Sequence, residues 1–369
     1  KYMNKSYYSL GLMSGTSGDG VDASLIISDG KEKFELIHNE YVGYSKDIFE
    51  EFHELKEKIL IYEDITKYSK KLNELERKIT ICNSTAVKKI KDKLLKQKNN
   101  IKIDFIGFHG QTILHLPEKK TSIQLGDAKL LSQLNKTKVI YNFRENDLKN
   151  GGQGAPLAPI FHQLIINKNK IELPSTILNL GGIANITTID KRNNISSSDI
   201  GPGNCLIDNW IRLNSKALID EGGKIAKSGR INKIILDQSL ENFYENPISK
   251  KKSYDTNDFH VSFVRGLSLE DGAATLTEFT AEVCSKGIRN HKVYVCGGGR
   301  KNSFLLERIK EKSGSIIESI DNLGLDGDFI ESQAFAYLAV RSYLDLPISF
   351  PKTTGCKKPC SGGMLTKNY

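Results

Sequence analysis

Residues 11–27 read GLMSGTSGDGVDASLII, which places four glycines among hydroxyl and carboxylate side chains between two apolar runs. Gly15 and Gly20 have the GxxxxG spacing of a P-loop, but Val21 and Asp22 stand where that motif needs lysine and a hydroxyl residue. The residues that follow alternate between apolar and polar as in a strand, whereas a P-loop continues into a helix. The pattern therefore predicts a β-hairpin with a glycine-rich tip.

The tip of this hairpin is suited to binding an anion. Consecutive backbone N–H groups with little side chain around them form concave phosphate sites, and Thr16 and Ser17 add hydroxyl donors. Asp19 or Asp22 could hold Mg²⁺ through water. The alternative is a plain tight turn, because glycine, serine and aspartate are common in turns.

Two further glycine turns follow along the chain. The segment NLGGIANIT places Gly181 and Gly182 between two strand-like runs. The segment VCGGGRKN places Gly297–Gly299 between a strand and a helix, with Asn302 just beyond. Glycine allows a phosphate or a flat ring to approach the backbone closely, although a roomy strand-to-helix loop is the alternative. Because a strand–turn–strand pattern occurs near Gly15 and again near Gly181, we expect two similar halves that face a cleft.

The segment SSSDIGPGNCLID contains the acid that we select as a candidate base. Asp199 precedes the stiff turn Gly201–Asn204, which opens a helix. A carboxylate near a helix N-terminus is stabilised in its charged form, and a general base must be charged. The alternative is an aspartate that only caps the helix.

Histidine and cysteine residues do not predict a metal centre. His109, Gln111 and His115 follow a buried strand, and two histidines six residues apart do not fit a usual zinc spacing. We expect them to form a polar wall of the cleft. Cys356 and Cys360 lack a matching second pair, so we predict no protein-ligated metal site.

Composition indicates an ordinary globular protein. The 369 residues are enough for two domains, and the 38% hydrophobic residues are enough for a core. The net charge of +9 comes from scattered lysines, so we expect no nucleic-acid partner. We also expect no membrane association, no disulfide framework and a cytoplasmic location, because we find no signal peptide and no run of 18 apolar residues.

Strand and helix patterns alternate along the chain, which predicts an α/β fold. The charged stretch Lys46–Lys98 has apolar residues at helical spacing and predicts two or three helices. The segment IDFIGFHG predicts a strand that ends at Gly110. We divide the chain into an N-terminal domain, 1–142, with the first phosphate hairpin, and a C-terminal domain, 143–369, with Asp199. We leave open that the last helix packs back on the first domain.

Six segments, taken together and in order, resemble the anhydro-N-acetylmuramic acid kinase family. They are GLMSGTSGDGVDASL, GFHGQTILHLP, NGGQGAPLAPIFH, LNLGGIANIT, DIGPGNCLID and VCGGGRKN. The resemblance spans nearly the whole chain, and the opening segment and GGQGAPL are its most specific parts. It implies an actin/hexokinase-like (ASKHA) fold of two α/β domains with ATP in the interdomain cleft.

The resemblance also implies a reaction and a homodimer. ATP, water and 1,6-anhydro-N-acetylmuramate would give ADP and N-acetylmuramate 6-phosphate, with Mg²⁺ as cofactor, in bacterial cell-wall recycling. Asp199 would activate the water that opens the anhydro ring. Two alternatives stay open: an ordinary sugar kinase of this fold, in which Asp199 deprotonates the sugar, and a non-catalytic ATP-binding protein of the actin type.

Site residues follow from the same resemblance and from the motifs above. The catalytic residue would be Asp199. The candidates for binding the sugar are His109, Gln111, Arg144, Asn204 and Glu331. The candidates for binding ATP are Gly15, Thr16, Ser17, Gly18, Asp19, Gly20, Val21, Asp22, Gly181, Gly182, Gly297, Gly298, Gly299 and Asn302.

Four positions depart from the usual family pattern. The family usually has a bulky apolar residue at Gly18, and we expect glycine there to loosen the hairpin tip. It usually has threonine at Ile200, so a hydroxyl beside the base is lost, and it usually has serine at Phe108. It usually has aspartate at Asn142, and a carboxylate that could orient Arg144 is lost.

Overall fold

The computed structural model describes residues 5–98, 101–246, 253–288 and 292–369. The chain forms two compact units: unit 1 is Lys1–Lys170 with Phe329–Tyr369, and unit 2 is Ile171–Asp328. This division differs from the sequence-based boundary at 142/143. Residues 143–170 belong to unit 1, and the chain returns to unit 1 at Phe329.

Unit 1 contains a mixed sheet and the helices that cover it. Its strands are β1 (Tyr7–Ser14), β2 (Gly20–Ser28), β3 (Phe34–Gly43), β4 (Phe105–Leu116), β5 (Thr121–Leu125), β6 (Lys138–Tyr141) and β12 (Met364–Thr366). Its helices are α1 (Lys46–Lys58), α2 (Tyr62–Lys67), α3 (Ser69–Lys96), α4 (Ala128–Asn135), α5 (Glu145–Lys149), α6 (Pro159–Lys168) and α12 (Ile330–Tyr343). The charged stretch after β3 therefore forms three helices.

The strand order of this sheet is β12-β6-β4-β1-β2-β3, with β5 paired to β4. Strand β2 is antiparallel to both β1 and β3, whereas β4 and β6 run parallel to β1. The predicted hairpin is confirmed, because Tyr7 pairs with Ser28 and Met13 pairs with Asp22. Its tip is thus held at one end of two long, buried strands.

The C-terminal helix α12 packs directly on this sheet. A Cβ atom at Gly11 would lie 1.9 Å from Ser332 O, and one at Gly107 would lie 2.4 Å from Phe335 O. Glycine in β1 and β4 therefore permits the backbones of helix and strand to touch. Ser9 Oγ donates to Ala336 O at 2.7 Å within this contact.

The long helix α3 contributes to a hydrophobic core of unit 1. Ile90 of this helix is buried there together with Leu10 and Leu12 of β1. The apolar spacing that predicted helices after β3 therefore marks the face that this helix buries.

Unit 2 contains a second mixed sheet. Its strands are β7 (Ser175–Leu180), β8 (Ile183–Ile189), β9 (Ile195–Pro202), β10 (Lys292–Cys296) and β11 (Ile317–Ser319). Its helices are α7 (Cys205–Asn214), α8 (Lys224–Ser228), α9 (Lys233–Glu245), α10 (Leu269–Gly287) and α11 (Ser303–Ser313). Helix α10 is buried along most of its length and organises the core of this unit.

The two sheets share a topology. The order β9-β8-β7-β10-β11 in unit 2 matches β3-β2-β1-β4-β6 in unit 1, and the strand directions match as well. The predicted α/β class and the predicted similarity of two halves are therefore confirmed. Two mixed sheets in two units agree with the actin/hexokinase-like class.

The ends of two strands differ from the sequence-based prediction. Strand β4 does not end at Gly110 but continues to Leu116, because it pairs with β5 from Gln111 to Leu116. Gly110 takes φ +78° where the register of β4 against β1 shifts. The turn predicted to begin at Gly201 begins later, because β9, which contains Asp199, continues to Pro202.

Among the helices of the described residues, none combines the length and apolar composition needed to cross a membrane.

Candidate active site

The hairpin tip between β1 and β2 is open at Gly15, whereas Gly18 and Gly20 are buried. Gly18 takes φ +60°, a left-handed conformation that favours glycine, and its N–H donates to Gly15 O at 3.2 Å. Thr16, Ser17 and Asp19 are exposed around it. A Cβ atom at Gly15 would meet only Ser17 Oγ, at 3.8 Å. The backbone at Gly15 therefore has the open space that an anion site needs.

Gln111 lies against the base of this tip. Its Nε2 donates to Gly15 O at 2.8 Å, and the Tyr44 hydroxyl donates to Gln111 Oε1 at 3.4 Å. Ser14 Oγ lies 2.9 Å from the same Tyr44 oxygen. Burial raises the pKa of the Tyr44 phenol, so this group stays a neutral donor. A buried polar network thus holds the tip, and no sequence motif pointed to Tyr44.

Asp19 and Asp22 lie close to a second phenol. The Tyr41 hydroxyl donates to Asp19 O at 3.1 Å. Burial, followed by the charges of Asp19 and Asp22, raises the pKa of Tyr41 to about 12. Asp22 also pairs with Tyr41 across strands β2 and β3, so Asp19 and Asp22 both lie beside this residue. Gly20 and Val21 belong to β2, and the Val21 side chain is buried in the core, so only its backbone can face a nucleotide.

His109 and Arg144 form a contact in unit 1. Arg144 Nη2 lies 2.8 Å from His109 Nε2, and His109 Nδ1 lies 2.7 Å from Gly110 O. Because the guanidinium can only donate, Nε2 accepts and Nδ1 carries the proton. Burial, followed by the charge of Arg144, lowers the pKa of His109 to about 3. A neutral imidazole therefore orients Arg144, a pairing that no sequence pattern had indicated.

Other predicted positions of unit 1 have local roles in the structure. Asn142 takes φ +58°, which asparagine tolerates, and its amide donates to Glu145, the first residue of α5. Phe108 is buried against the backbone of Gly126, where a Cβ atom would lie 2.3 Å from the ring. Glu331 lies in the first turn of α12.

In unit 2, the turn after β9 binds the tip between β7 and β8. Gly203 N donates to Gly182 O at 2.9 Å, and Asn204 N donates to Gly181 O at 2.8 Å. A Cβ atom at Gly203 would lie 2.2 Å from Gly181 O. This contact needs glycine at position 203, and it brings two separately predicted segments together.

The third glycine turn, Gly297–Gly299, packs against the end of β7 and against Asn204. Gly297 takes φ +79°, and a Cβ atom there would lie 2.5 Å from Asn179 Oδ1. A Cβ atom at Gly299 would lie 2.6 Å from Leu180 Cβ and 3.1 Å from Asn204 Nδ2. At Gly298, by contrast, a Cβ atom would meet nothing within 4 Å. Unit 2 therefore gathers three glycine segments around backbone that is open at Gly298.

Asn302 and Arg300 hold this third turn. Asn302 Oδ1 accepts from Leu305 N at 3.0 Å, so its side chain caps α11. The Arg300 guanidinium donates to Gly297 O at 3.3 Å and pairs with Asp321 and Asp328. No motif had singled out Arg300. Its position directly after three glycines is the one sequence feature that could have marked it as part of this turn.

Asp199 is oriented by a neighbouring loop. Its Oδ2 accepts from Tyr254 N at 2.8 Å. Burial, followed by the charge of Asp199, raises the pKa of the Tyr254 phenol to about 12. The capping interpretation of Asp199 is wrong, because Asn204 occupies the N-cap position of α7.

A bulge in β9 follows Asp199 directly. Asp199 pairs with Asn185 and Gly201 with Ala184, so Ile200 is an extra residue in the strand. Such a bulge changes the direction in which nearby side chains point. Ile200 packs towards the core of unit 2, with its Cγ2 2.9 Å from where a Cβ of Gly287 would lie. The apolar side chain at position 200, where the family usually has threonine, therefore packs against the hydrophobic core of unit 2.

One protein family matches almost the whole chain. The family model described as anhydro-N-acetylmuramic acid kinase matches residues 7–368. The chain belongs to this family. The membership predicted from six segments is confirmed, and with it an enzyme class, the kinases, that uses ATP.

Two relatives with the same family name show how far the similarity extends. The anhydro-N-acetylmuramic acid kinase of Pelagibacter ubique (strain HTCC1062) is 50% identical over 380 residues, covering 100% of both chains. That of Gluconobacter oxydans (strain 621H) is 37% identical over 368 residues, covering 96% of this chain and 99% of the relative. A solved structure, the (R)-2-hydroxyglutaryl-CoA dehydratase component A of Acidaminococcus fermentans, is 12% identical with a TM-score of 0.46, covering 92% and 99% of the two chains.

Proposed function

We propose that this protein phosphorylates 1,6-anhydro-N-acetylmuramate with ATP and opens the anhydro ring by hydrolysis, forming N-acetylmuramate 6-phosphate and ADP. Such a reaction would recover sugar in bacterial cell-wall recycling. The full-length similarity to kinases of this name supports the substrate. The observation that carries the mechanism is Asp199, a carboxylate that accepts from Tyr254 N and lies directly before the bulge at Ile200.

The proposed chemistry couples two displacements. Asp199 takes a proton from a water molecule whose oxygen attacks C1 of the sugar, opposite the anhydro bridge. The C1–O6 bond breaks, and its electron pair stays on O6. This oxygen attacks the γ-phosphorus of ATP, and the electron pair of the broken P–O bond leaves with ADP. No separate acid is needed, because the phosphoryl group captures O6 in place of a proton.

The glycine turns of the two units are proposed to bind the nucleotide. A Cβ atom at Gly15 would have one neighbouring atom within 4 Å, and a Cβ atom at Gly298 would have none. A phosphate could therefore approach the backbone closely at both glycines. Thr16 and Ser17 add exposed hydroxyl donors. Gly181 and Gly182 lie in the tip that the turn at Gly203 binds. Phosphoryl transfer mainly requires alignment and neutralised charge.

Mg²⁺ is the expected companion of ATP, and the tip of unit 1 has oxygen ligands of the kind that it prefers. Tyr41 pairs with Asp22 across the strands and donates to Asp19 O, so both aspartates lie beside Tyr41, and we propose them as candidate ligands of the ion. When bound, the ion would neutralise charge on the phosphates.

Arg144 is proposed to bind the carboxylate that muramic acid carries on its lactyl group. A guanidinium binds a carboxylate through two parallel hydrogen bonds. His109 is neutral and only accepts from Arg144, so the arginine keeps its full charge for an anionic substrate. Gln111, Asn204 and Glu331 stay proposals as further sugar contacts.

Mass spectrometry in ¹⁸O-water tests the reaction. We expect 1,6-anhydro-N-acetylmuramate and Mg-ATP to give a phosphorylated, ring-opened product with one heavy oxygen. An unlabelled phosphorylated product that keeps the anhydro ring would instead identify an ordinary sugar kinase. ATP binding without any product would favour a non-catalytic protein.

The role of Asp199 is tested with Asp199→Asn. We expect turnover to fall by about 10²–10⁴-fold, the usual effect of losing a positioned base, while ATP still binds. Asp237→Asn is the matched control, since Asp237 is an exposed residue of α9 in the same unit. Near-normal turnover in Asp199→Asn would contradict the assignment.

A homodimer in the cytoplasm is part of the proposal, because the family resemblance implies it. Light scattering of the purified protein measures its mass directly. A mass close to the 41.2 kDa of one chain would contradict the homodimer alone.

A further inference from the structure

A buried group of sulfur and oxygen atoms lies in unit 1, apart from the residues assigned above. It consists of Asp147 at α5 and of Cys356 and Cys360 in the segment between α12 and β12. One potential ligand atom from each residue lies within 4.8 Å of the other two. The three residues are only 1%, 2% and 5% exposed, so they belong to the packed interior and not to a chance surface grouping.

Hydrogen bonds hold this group in place from both sides. Thr354 Oγ1 donates to Asp147 Oδ1 at 2.6 Å, and Gly154 N donates to Asp147 Oδ2 at 2.7 Å. Cys360 N donates to Ser349 O at 3.0 Å. The carboxylate and the cysteine backbone are therefore oriented before any ligand arrives, as the outer partners of metal ligands usually ensure.

The donor set is suited to zinc. Thiolate ligands select soft or borderline metals, and zinc accepts sulfur and carboxylate oxygen together. With zinc–sulfur bonds of about 2.3 Å, tetrahedral ligand atoms lie roughly 3.5–4 Å apart. The separations of at most 4.8 Å therefore need only a small contraction. Neither cysteine is in a disulfide.

We propose that Asp147, Cys356 and Cys360 bind one zinc ion in a structural site. The spacing Cys-x₃-Cys alone did not predict it, because the third ligand comes from a residue more than 200 positions earlier in the chain. Ser349 supplies a further oxygen, with its Oγ 4.0 Å from Cys356 Sγ, so the fourth position falls to this hydroxyl or to a water molecule.

The ion would join two segments that hydrogen bonds already connect. Lys357 N donates to Asn150 O at 3.2 Å, and Gln153 N donates to Thr354 O at 2.8 Å. A metal that binds only the folded chain stabilises it. Zinc at this place would therefore fasten the C-terminal segment to the GGQGAPL loop.

Metal content tests the proposal in the full chain, purified without a histidine tag, supplied with zinc and freed of loose metal by gel filtration. We expect about one zinc per chain by inductively coupled plasma mass spectrometry. Cys356→Ser and Cys360→Ser should each lower this content by about tenfold or more. Cys82→Ser is the matched control, because Cys82 lies in α3. Equal zinc contents in all four proteins, or no zinc in any, would overturn the proposal.

A second measurement covers the case in which a serine variant fails to fold. The unmodified chain, stripped of metal, is titrated with Co²⁺, which takes the same tetrahedral ligands and absorbs light. We expect a thiolate-to-cobalt charge-transfer band that saturates at one equivalent and disappears when zinc is added. Absence of this band, or an intact mass of the purified protein that shows a Cys356–Cys360 disulfide, would contradict the site.

Discussion

His162 lies in the interior of unit 1 on α6, and His109 lies on β4. Burial lowers the pKa of His162 to about 4, and burial together with the charge of Arg144 lowers that of His109 to about 3. Both imidazoles are therefore neutral in the folded protein across the physiological pH range. In an unfolded chain they regain a pKa of about 6.5.

This difference predicts a loss of stability in mild acid. Between pH 6.5 and about 4 the unfolded chain binds more protons than the folded protein, so the free energy of unfolding falls as the pH falls. His162→Leu removes one of these groups. We expect a shallower fall in urea denaturation midpoints between about pH 7 and pH 5. The same slope in the variant and the parent protein would contradict this explanation.

Substitution by alanine is expected to lower the stability of the protein at Gly203 but not at Gly298. Gly203→Ala places a Cβ atom 2.2 Å from Gly181 O, whereas Gly298→Ala meets nothing within 4 Å. We expect Gly203→Ala to lower the free energy of unfolding by about 1–3 kcal/mol, as overpacking does, and Gly298→Ala to leave it unchanged. Calorimetric titration with ADP should show weaker binding to Gly298→Ala. Unchanged ADP affinity there would argue against nucleotide contact at this turn.

Among the elements of unit 1, helix α1 supports the hairpin tip. A Cβ atom at Gly18 would lie 2.3 Å from Cδ1 of Phe52, and His53 Nε2 lies 2.9 Å from Ser17 O. The family usually has a bulky apolar residue at position 18. In this chain the Phe52 ring occupies the space beside Gly18. The ring packs against the tip, whereas the sequence alone suggested that glycine at position 18 loosens it.

This contact predicts a specific effect of Phe52→Ala. We expect the KM for ATP to rise several-fold with a smaller change in kcat, because the substitution frees the tip without touching the base. Leu55→Ala in the same helix is the control, since Leu55 is also buried and its truncation costs about 2–5 kcal/mol of stability. An equal rise in KM in both variants would mean that only stability is involved.

Local patterns predicted the elements better than their ends. The hairpin, the three glycine turns and α12 were predicted because apolar periodicity and glycine clusters are local signals. The continuation of β4 past Gly110 and of β9 to Pro202 was not predicted. Both depend on irregular pairing with a neighbouring strand, and a single chain segment does not show which strand will be its partner.

Each of the two units, taken as a whole, has its own hydrophobic cores. One cluster centred on α10 lies in unit 2, and the clusters around the first sheet lie in unit 1. Trp210 is the single tryptophan of the chain and is buried in unit 2, where its Nε1 donates to Leu269 O at 2.9 Å. Its fluorescence therefore reports on unit 2.

Separate cores predict that the units can unfold separately. Ile106→Ala empties space in a core of unit 1 and should cost about 2–5 kcal/mol there. We expect circular dichroism of this variant to show a first transition at lower urea, while the Trp210 fluorescence transition stays in place. Ile207→Ala, in the core of unit 2, should shift the fluorescence transition instead. If the circular dichroism and fluorescence transitions coincided in both variants, the two units would unfold as one cooperative unit.

The α/β class, the glycine-rich hairpins, the candidate base Asp199 and the family could all be inferred from the amino-acid sequence, because they depend on local periodicity and on motifs. The sequence left open the return of α12 to the first sheet, and it did not indicate the contact of Gln111 with Gly15. The same holds for the contact of Tyr254 with Asp199 and for the grouping of Asp147 with two cysteines. Such contacts join residues far apart in the chain, and strand order and packing, which no local pattern contains, determine which of them meet.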